Sequence, residues 1–160
     1  TARAHLHTST DLHTLSQAQL ILTVSSAVGA IIHPEDLQPG SVVCDVARPR
    51  DVAAAVAAAR EDVLVIDGGM VETPGEVDFH FDFGFPPGKA YACMAETMAL
   101  ALEGRFEDYT LGKNITRQRV EEITEIAERH GFRLSGFRSF EHPVTPEQIA
   151  KVCRRARGRI

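Results

Sequence analysis

The chain has 160 residues, 44% of them hydrophobic and 24% charged, with a formal net charge of −5. That is the make-up of an ordinary globular protein with room for a real core, and the acidic balance argues against nucleic acid as a partner. No run approaches the eighteen or so apolar residues of a transmembrane segment, and Thr1–Ser9 lacks the apolar stretch of a signal peptide. Three cysteines, Cys44, Cys93 and Cys153, form no CxxC pair, which points to a reducing, cytoplasmic setting rather than to a disulfide framework or zinc ribbon. The histidines are scattered without an HExxH pair, so no metal site is expected.

Ala4–His7 reads as a short strand, and Asp11–Ala18 as a short helix capped by Thr10 or Asp11. Three β-branched runs follow: Leu20–Val24, Val42–Val46 and Val63–Ile66. Each is nearly continuous, as expected for parallel strands covered on both faces. The spacing leaves room for a crossover between each pair. The first crossover holds turns at His33–Leu37 and Pro39-Gly40, and the second an alanine-rich helix, Val52–Arg60, capped by Asp51. Alternation of this kind predicts an α/β layer.

The three strands run out into Ser25-Ser26-Ala27, Ala47-Arg48-Pro49 and Asp67-Gly68-Gly69. In open α/β sheets, ligands bind outside the carboxyl ends of the strands, and small residues there let a flat ring approach the backbone. Ser25, Ser26, Ala27, Ala47, Gly68 and Gly69 are therefore candidate cofactor-binding residues. Gly and Ser also serve any tight turn; the binding reading rests on three successive strands ending this way.

Val77–Phe83 alternates apolar with acidic or His residues, which predicts a half-exposed strand. Pro86-Pro87-Gly88 then feeds a helix rich in Ala, Met and Leu that stops at Gly104. Apolar residues on nearly every side predict that this helix is buried. Cys93 stands near its start, close to Lys89, where unpaired amides and the positive helix end favour a thiolate. Free cysteine also packs well as a small hydrophobe, and position alone leaves both readings open.

Phe106, Tyr109 and Leu111 are expected to pack beneath a loop. A helix from Thr116 to His130, stopped by Gly131, carries the stripe Val120, Ile123, Ile126 and Ala127. Thr145-Pro146 starts the last helix. Its basic cluster Lys151, Arg154, Arg155, Arg157 and Arg159 either complements the helix end or docks an acidic partner.

No GxGxxG occurs, so nothing here would hold a pyrophosphate. The chain also opens as if in the middle of a fold, without an initiator methionine. It reads as the second half of a Rossmann-type dinucleotide-binding domain (residues 1–84) followed by a helical region carrying Cys93 (residues 85–160), with a glycine-rich segment expected upstream.

The path through Ile21–Ala27, Ile31–Leu37 and Val42–Val46 resembles the later Rossmann strands of shikimate-dehydrogenase-like and glutamyl-tRNA-reductase-like enzymes. Asp67-Gly68-Gly69-Met70-Val71-Glu72, Ala92-Cys93-Met94-Ala95-Glu96, Ala101-Leu102-Glu103-Gly104, Leu111-Gly112 and Arg129-His130-Gly131-Phe132 narrow this further. In that order they resemble the carboxyl-terminal half of the aldehyde-forming long-chain acyl-[acyl-carrier-protein] reductases, often grouped with predicted amino acid dehydrogenases. The resemblance covers roughly Asp11 to Phe140. It implies that Cys93 attacks a fatty acyl thioester and that NADPH then delivers a hydride, releasing an aldehyde. The acyl substrate would be small or carried on an acyl-carrier protein. Without the upstream glycine-rich segment, NADPH is expected to bind weakly or not at all, and the choice between NAD and NADP stays open, as does homo-oligomerisation. Two other readings stand beside it: an amino acid or shikimate-type dehydrogenase with a structural Cys93, and a non-catalytic α/β binding module.

Overall fold

In the computed structural model, which describes residues 4–82, 84–112 and 114–158, the three β-branched runs form strands β1 (Leu20–Thr23), β2 (Val42–Asp45) and β3 (Leu64–Asp67). They pair in parallel in the order β1-β2-β3, with Ile21, Val43 and Val65 in register and Thr23, Asp45 and Asp67 in register two residues on. The fold is α/β, as the alternation predicts, and is consistent with half of a Rossmann-type sheet.

Among the described residues one face of this sheet carries the core and the other is only partly covered, Leu64 being buried there. Ile21, Val43 and Val65 pack with Ile32, Leu37, Val52, Val56 and Val63 into a core, Val56 coming from α1 (Ala54–Ala59). On the other face Leu20, Leu22, Val24 and Val46 are exposed, and Cys44 and Ile66 are half-buried. The expectation of two covered faces is corrected here: a continuous apolar run says that each side chain can be buried, not what lies against it.

Three local expectations also change. Ala4–His7 is not a strand. The segment after it is a 3-10 helix, Leu12–Gln17, whose first amides are capped by Asp11 through the His13 N–H. α1 begins only at Ala54 behind an uncapped Ala53, because the Asp51 carboxylate turns instead to the end of β1.

Contacts divide the chain into two compact units, one made of residues up to Gly68 together with Phe137 onward, the other of Gly69–Gly136. In the second, β4 (Met70–Glu72) pairs antiparallel with both β5 (Lys89–Tyr91) and β6 (Arg133–Leu134), so residues on both sides of position 84 share one sheet. α2 (Ala92–Leu102) and α3 (Arg117–Arg129) complete it around Ala95, Ala99, Leu100, Tyr109, Ile126 and Phe132.

α2 is not buried on every side: Ala95, Ala99 and Leu100 are, whereas Cys93, Thr97, Ala101 and Leu102 are exposed. Tyr109 lies in the core with its hydroxyl 2.5 Å from Glu122 Oε2, but Phe106 and Leu111 are exposed. The Val77–Phe83 alternation does not make a strand among its described residues (Phe83 lies outside them). Its Phe79 and Phe81 line an open cavity of about 660 Å³ with Phe85, Pro86 and Pro87.

In the first unit, β7 (Arg138–Ser139) and β8 (His142–Pro143) form a hairpin. Its two turn residues, Phe140 and Glu141, have φ of 45° and 70°, the region a two-residue type I′ turn requires and that side chains other than Gly and Asn resist. α4 (Pro146–Arg157) follows, with Thr145 and Gln148 capping each other reciprocally. Lys151 pairs with Glu61. No helix among the described residues is long and apolar enough to cross a membrane.

Candidate functional site

The parallel register places Ser25, Ala47 and Gly68 beyond the same carboxyl edge of the first sheet. Backbone bonds continue past the strands, from Val46 N–H to Thr23 O at 3.0 Å and from Gly68 N–H to Asp45 O at 2.9 Å.

Each strand ending is held from behind by a buried aspartate, a feature sequence reasoning missed. Asp51 accepts the Thr23 hydroxyl, the Ser25 hydroxyl at 2.5 Å and the Ser25 amide at 3.0 Å. The Ser25 hydroxyl in turn accepts the Ala27 amide at 3.1 Å. Asp45 accepts the amides of Ala47 at 3.1 Å and Val52 at 3.0 Å. Asp67 pairs with Arg50 at 3.0 Å and accepts the Glu141 amide at 3.0 Å. The one sequence signal was an acid at the same register position in β2 and β3, easily taken for a strand terminus.

These bonds change what the small residues do. Ser25 and Ser26 are exposed and Ala27 is half-buried, so the first strand ending offers a small, fixed surface that suits a flat ring. Ala47 is buried. Gly68 is small for a packing reason: a Cβ there would lie 2.6 Å from the Val46 side chain and 3.2 Å from Cys44 Sγ. Gly69 has φ of 74° and belongs to the second unit, where its carbonyl accepts the Ala92 amide at 2.6 Å.

Gly69 and Cys93 are thus brought together at the start of α2. Cys93 is the second residue of that helix and is exposed. Tyr91, the residue before the helix, gives no side-chain cap. Lys89 is half-buried, with its ammonium 2.6 Å from Ser135 Oγ and 3.4 Å from Glu72 Oε1. A mostly apolar groove of about 240 Å³ is lined by Val71, Ala92, Ala95, Ile123, Phe132 and Leu134, with Glu96 and Arg133 also on its wall.

The other two cysteines sit differently. Burial pushes the Cys44 thiol up, and the Asp45 charge adds to this. Cys153 is exposed on α4 among arginines. Asp51 is wholly buried, which by itself works against its charge, but the hydrogen bonds from the Ser25 and Thr23 hydroxyls and the Ser25 amide hold it below the usual carboxylate range.

No protein-family model matches the chain. Aminotransferase PigE of a Serratia species is 36% identical over 136 residues, which cover 84% of this chain and 16% of that protein. Long-chain acyl-[acyl-carrier-protein] reductase of Synechococcus elongatus is 32% identical over 125 residues, 74% of this chain and 36% of the reductase. The chain therefore spans about a sixth and about a third of these two relatives, both named as enzymes.

Proposed function

We propose that this chain is the carboxyl-terminal part of an NADPH-dependent reductase that converts a fatty acyl thioester to an aldehyde through Cys93. The observation that carries the reading is the placement of Cys93, exposed in the first turn of α2. A cysteine serving only as a core hydrophobe would be packed, and this one is not. The similarity to the Synechococcus reductase supports the same chemistry. The aminotransferase name belongs to a protein of which the match covers 16%, and it assigns no amino-group chemistry to this chain.

In this reading the Cys93 thiolate attacks the thioester carbonyl, the carrier thiol leaves with a proton, and the acyl group is held on sulfur. NADPH, when bound, supplies the hydride. With one further proton the acyl carbon departs as aldehyde and the Cys93 thiol is restored. Cys93, the second residue of α2, stands at the amino end of that helix. The groove that Ala92 helps to line would give an acyl chain a mostly apolar wall. Ser25, Ser26 and Ala27 would form the surface for the nicotinamide ring, with Ala47 and Gly68 at the ends of the neighbouring strands, and the pyrophosphate cradle would lie outside these residues.

The test is limiting iodoacetamide on the full-length protein, read by peptide mass spectrometry, together with Cys93→Ala. Cys93 should label ahead of Cys44 and Cys153, and Cys93→Ala should abolish acyl reduction while retaining NADPH binding. Turnover of acyl thioesters by Cys93→Ala would sink covalent catalysis here and favour a dehydrogenase with a structural cysteine.

A further inference from the structure

Asp51 combines two properties that rarely occur together. It is 0% exposed, and every group bonded to its carboxylate is neutral: the Thr23 hydroxyl, the Ser25 hydroxyl and the Ser25 amide. Among the described residues no Lys, Arg or His pairs with it, in contrast to Asp67, which Arg50 meets at 3.0 Å and Arg48 at 3.9 Å. A buried carboxylate without a cation is costly to keep. Tying down a loop does not require that charge, because neutral acceptors do the same work.

All three donors belong to the end of β1. Through the Ser25 hydroxyl the chain of bonds reaches the Ala27 amide, so the Ser25–Ala27 surface is set by this one carboxylate. The Asp51 main chain adds to the hold from the other side, its carbonyl accepting the amides of Ile31 at 2.8 Å and Ile32 at 3.0 Å. The loop that leaves β1 is thus fastened to Asp51 at both of its ends.

We infer that Asp51 is the positioning residue of the nicotinamide surface, fixing Ser25–Ala27 and setting a negative charge one hydrogen bond behind it that favours the oxidised, cationic ring over the neutral reduced one. This rests on the proposed assignment of Ser25–Ala27 to the ring. The nicotinamide becomes a cation when it gives up hydride, so a fixed anion behind it stabilises the product side of hydride donation. A neutral anchor of the same shape would hold the loop without that bias.

The experiment measures dissociation constants for NADPH and NADP⁺ separately, by nicotinamide fluorescence and by competition, on the full-length protein. Asp51→Asn, checked for folding by its thermal transition, should weaken NADP⁺ by about tenfold and NADPH by about threefold or less. Ser25→Ala, at an exposed position and likewise checked for folding, keeps the charge and cuts the link; it should weaken both forms equally. Hydrogen exchange over residues 20–30 should speed up in both variants. If Asp51→Asn does not fold, a loss in Ser25→Ala equal for both forms and joined to faster exchange still supports the inference, whereas unchanged exchange there overturns it. Equal losses for the two forms in a folded Asp51→Asn overturn the charge argument. Wild-type protein that binds neither nucleotide would overturn the functional reading itself, and with it this one.

Discussion

The two compact units each build around a small sheet, but with different means. The first uses three parallel strands and a core of Ile, Val and Leu. The second uses strands of two or three residues and packs Ala95 and Ala99 of one helix against Ile126 of another, closed by Tyr109 and Phe132. Their cysteines follow suit. Cys44 sits in a strand with its thiol pushed up by burial, and Cys93 stands exposed at a helix start. Under the proposed function, chemistry at sulfur would fall to the second unit and ligand positioning to the first, so each unit would have a distinct way to fail.

The comparison can be broken optically, because both tyrosines, Tyr91 and Tyr109, lie in the second unit and the chain has no tryptophan. Tyrosine fluorescence therefore follows the second unit, while far-ultraviolet circular dichroism follows both. The largest effect is expected from Phe132→Ala, which empties a buried aromatic site and should cost about 4 kcal/mol. In urea its tyrosine transition should move to lower denaturant while the remaining dichroism change stays in place.

Next comes Gly40→Ala in the first unit. Gly40 has φ of 82°, and a Cβ there would stand 2.5 Å from the backbone nitrogen of Ala156 in α4. Backbone strain and overpacking together should cost about 3 kcal/mol, with no shift of the tyrosine signal. A joint shift of both signals in either variant would mean that the units unfold as one. Gly69→Ala sharpens the point: with φ of 74° but its nearest neighbour 3.9 Å away, it should cost only about 1 kcal/mol.

The smallest effect is a pH dependence of the first unit. Asp51 is held below its unfolded value of about 3.9, so its contribution is fully present above that pH and is lost as pH falls through the lower folded value. The stability gap between wild type and Asp51→Asn should therefore narrow on going from neutral pH to about pH 3. A gap that widens in acid would contradict the direction given for this carboxylate.

What was legible in the sequence was whatever repeats along it. The β-branched runs, the caps at Thr116 and Thr145 and the parallel layer all show in residue pattern. The second sheet was not legible, because Met70–Glu72 and Lys89–Tyr91 are too short to carry a period, and Val77–Phe83, which does alternate, finds no partner strand among its described residues. For the candidate site, the edge shared by Ser25, Ala47 and Gly68 followed from register. The reasons for those residues did not: Gly68 is small for Val46 and Cys44, and Ser25 answers to an aspartate 26 residues away. Long-range bonds leave no local trace.

The hairpin tip carries a consequence for how the chain comes together. Asn-Gly would let such a turn form by itself; Phe140-Glu141 does not, and each residue in this conformation costs on the order of 1 kcal/mol. What compensates lies outside the hairpin: Asp67 accepts the Glu141 amide, Arg50 reaches the Glu141 carboxylate at 3.3 Å and stands 5.7 Å from the centre of the Phe140 ring. The turn therefore gains stability only once β3 and the segment after β2 are in place. The stability of residues 138–143 is tied to that of the parallel sheet beside them rather than to their own turn.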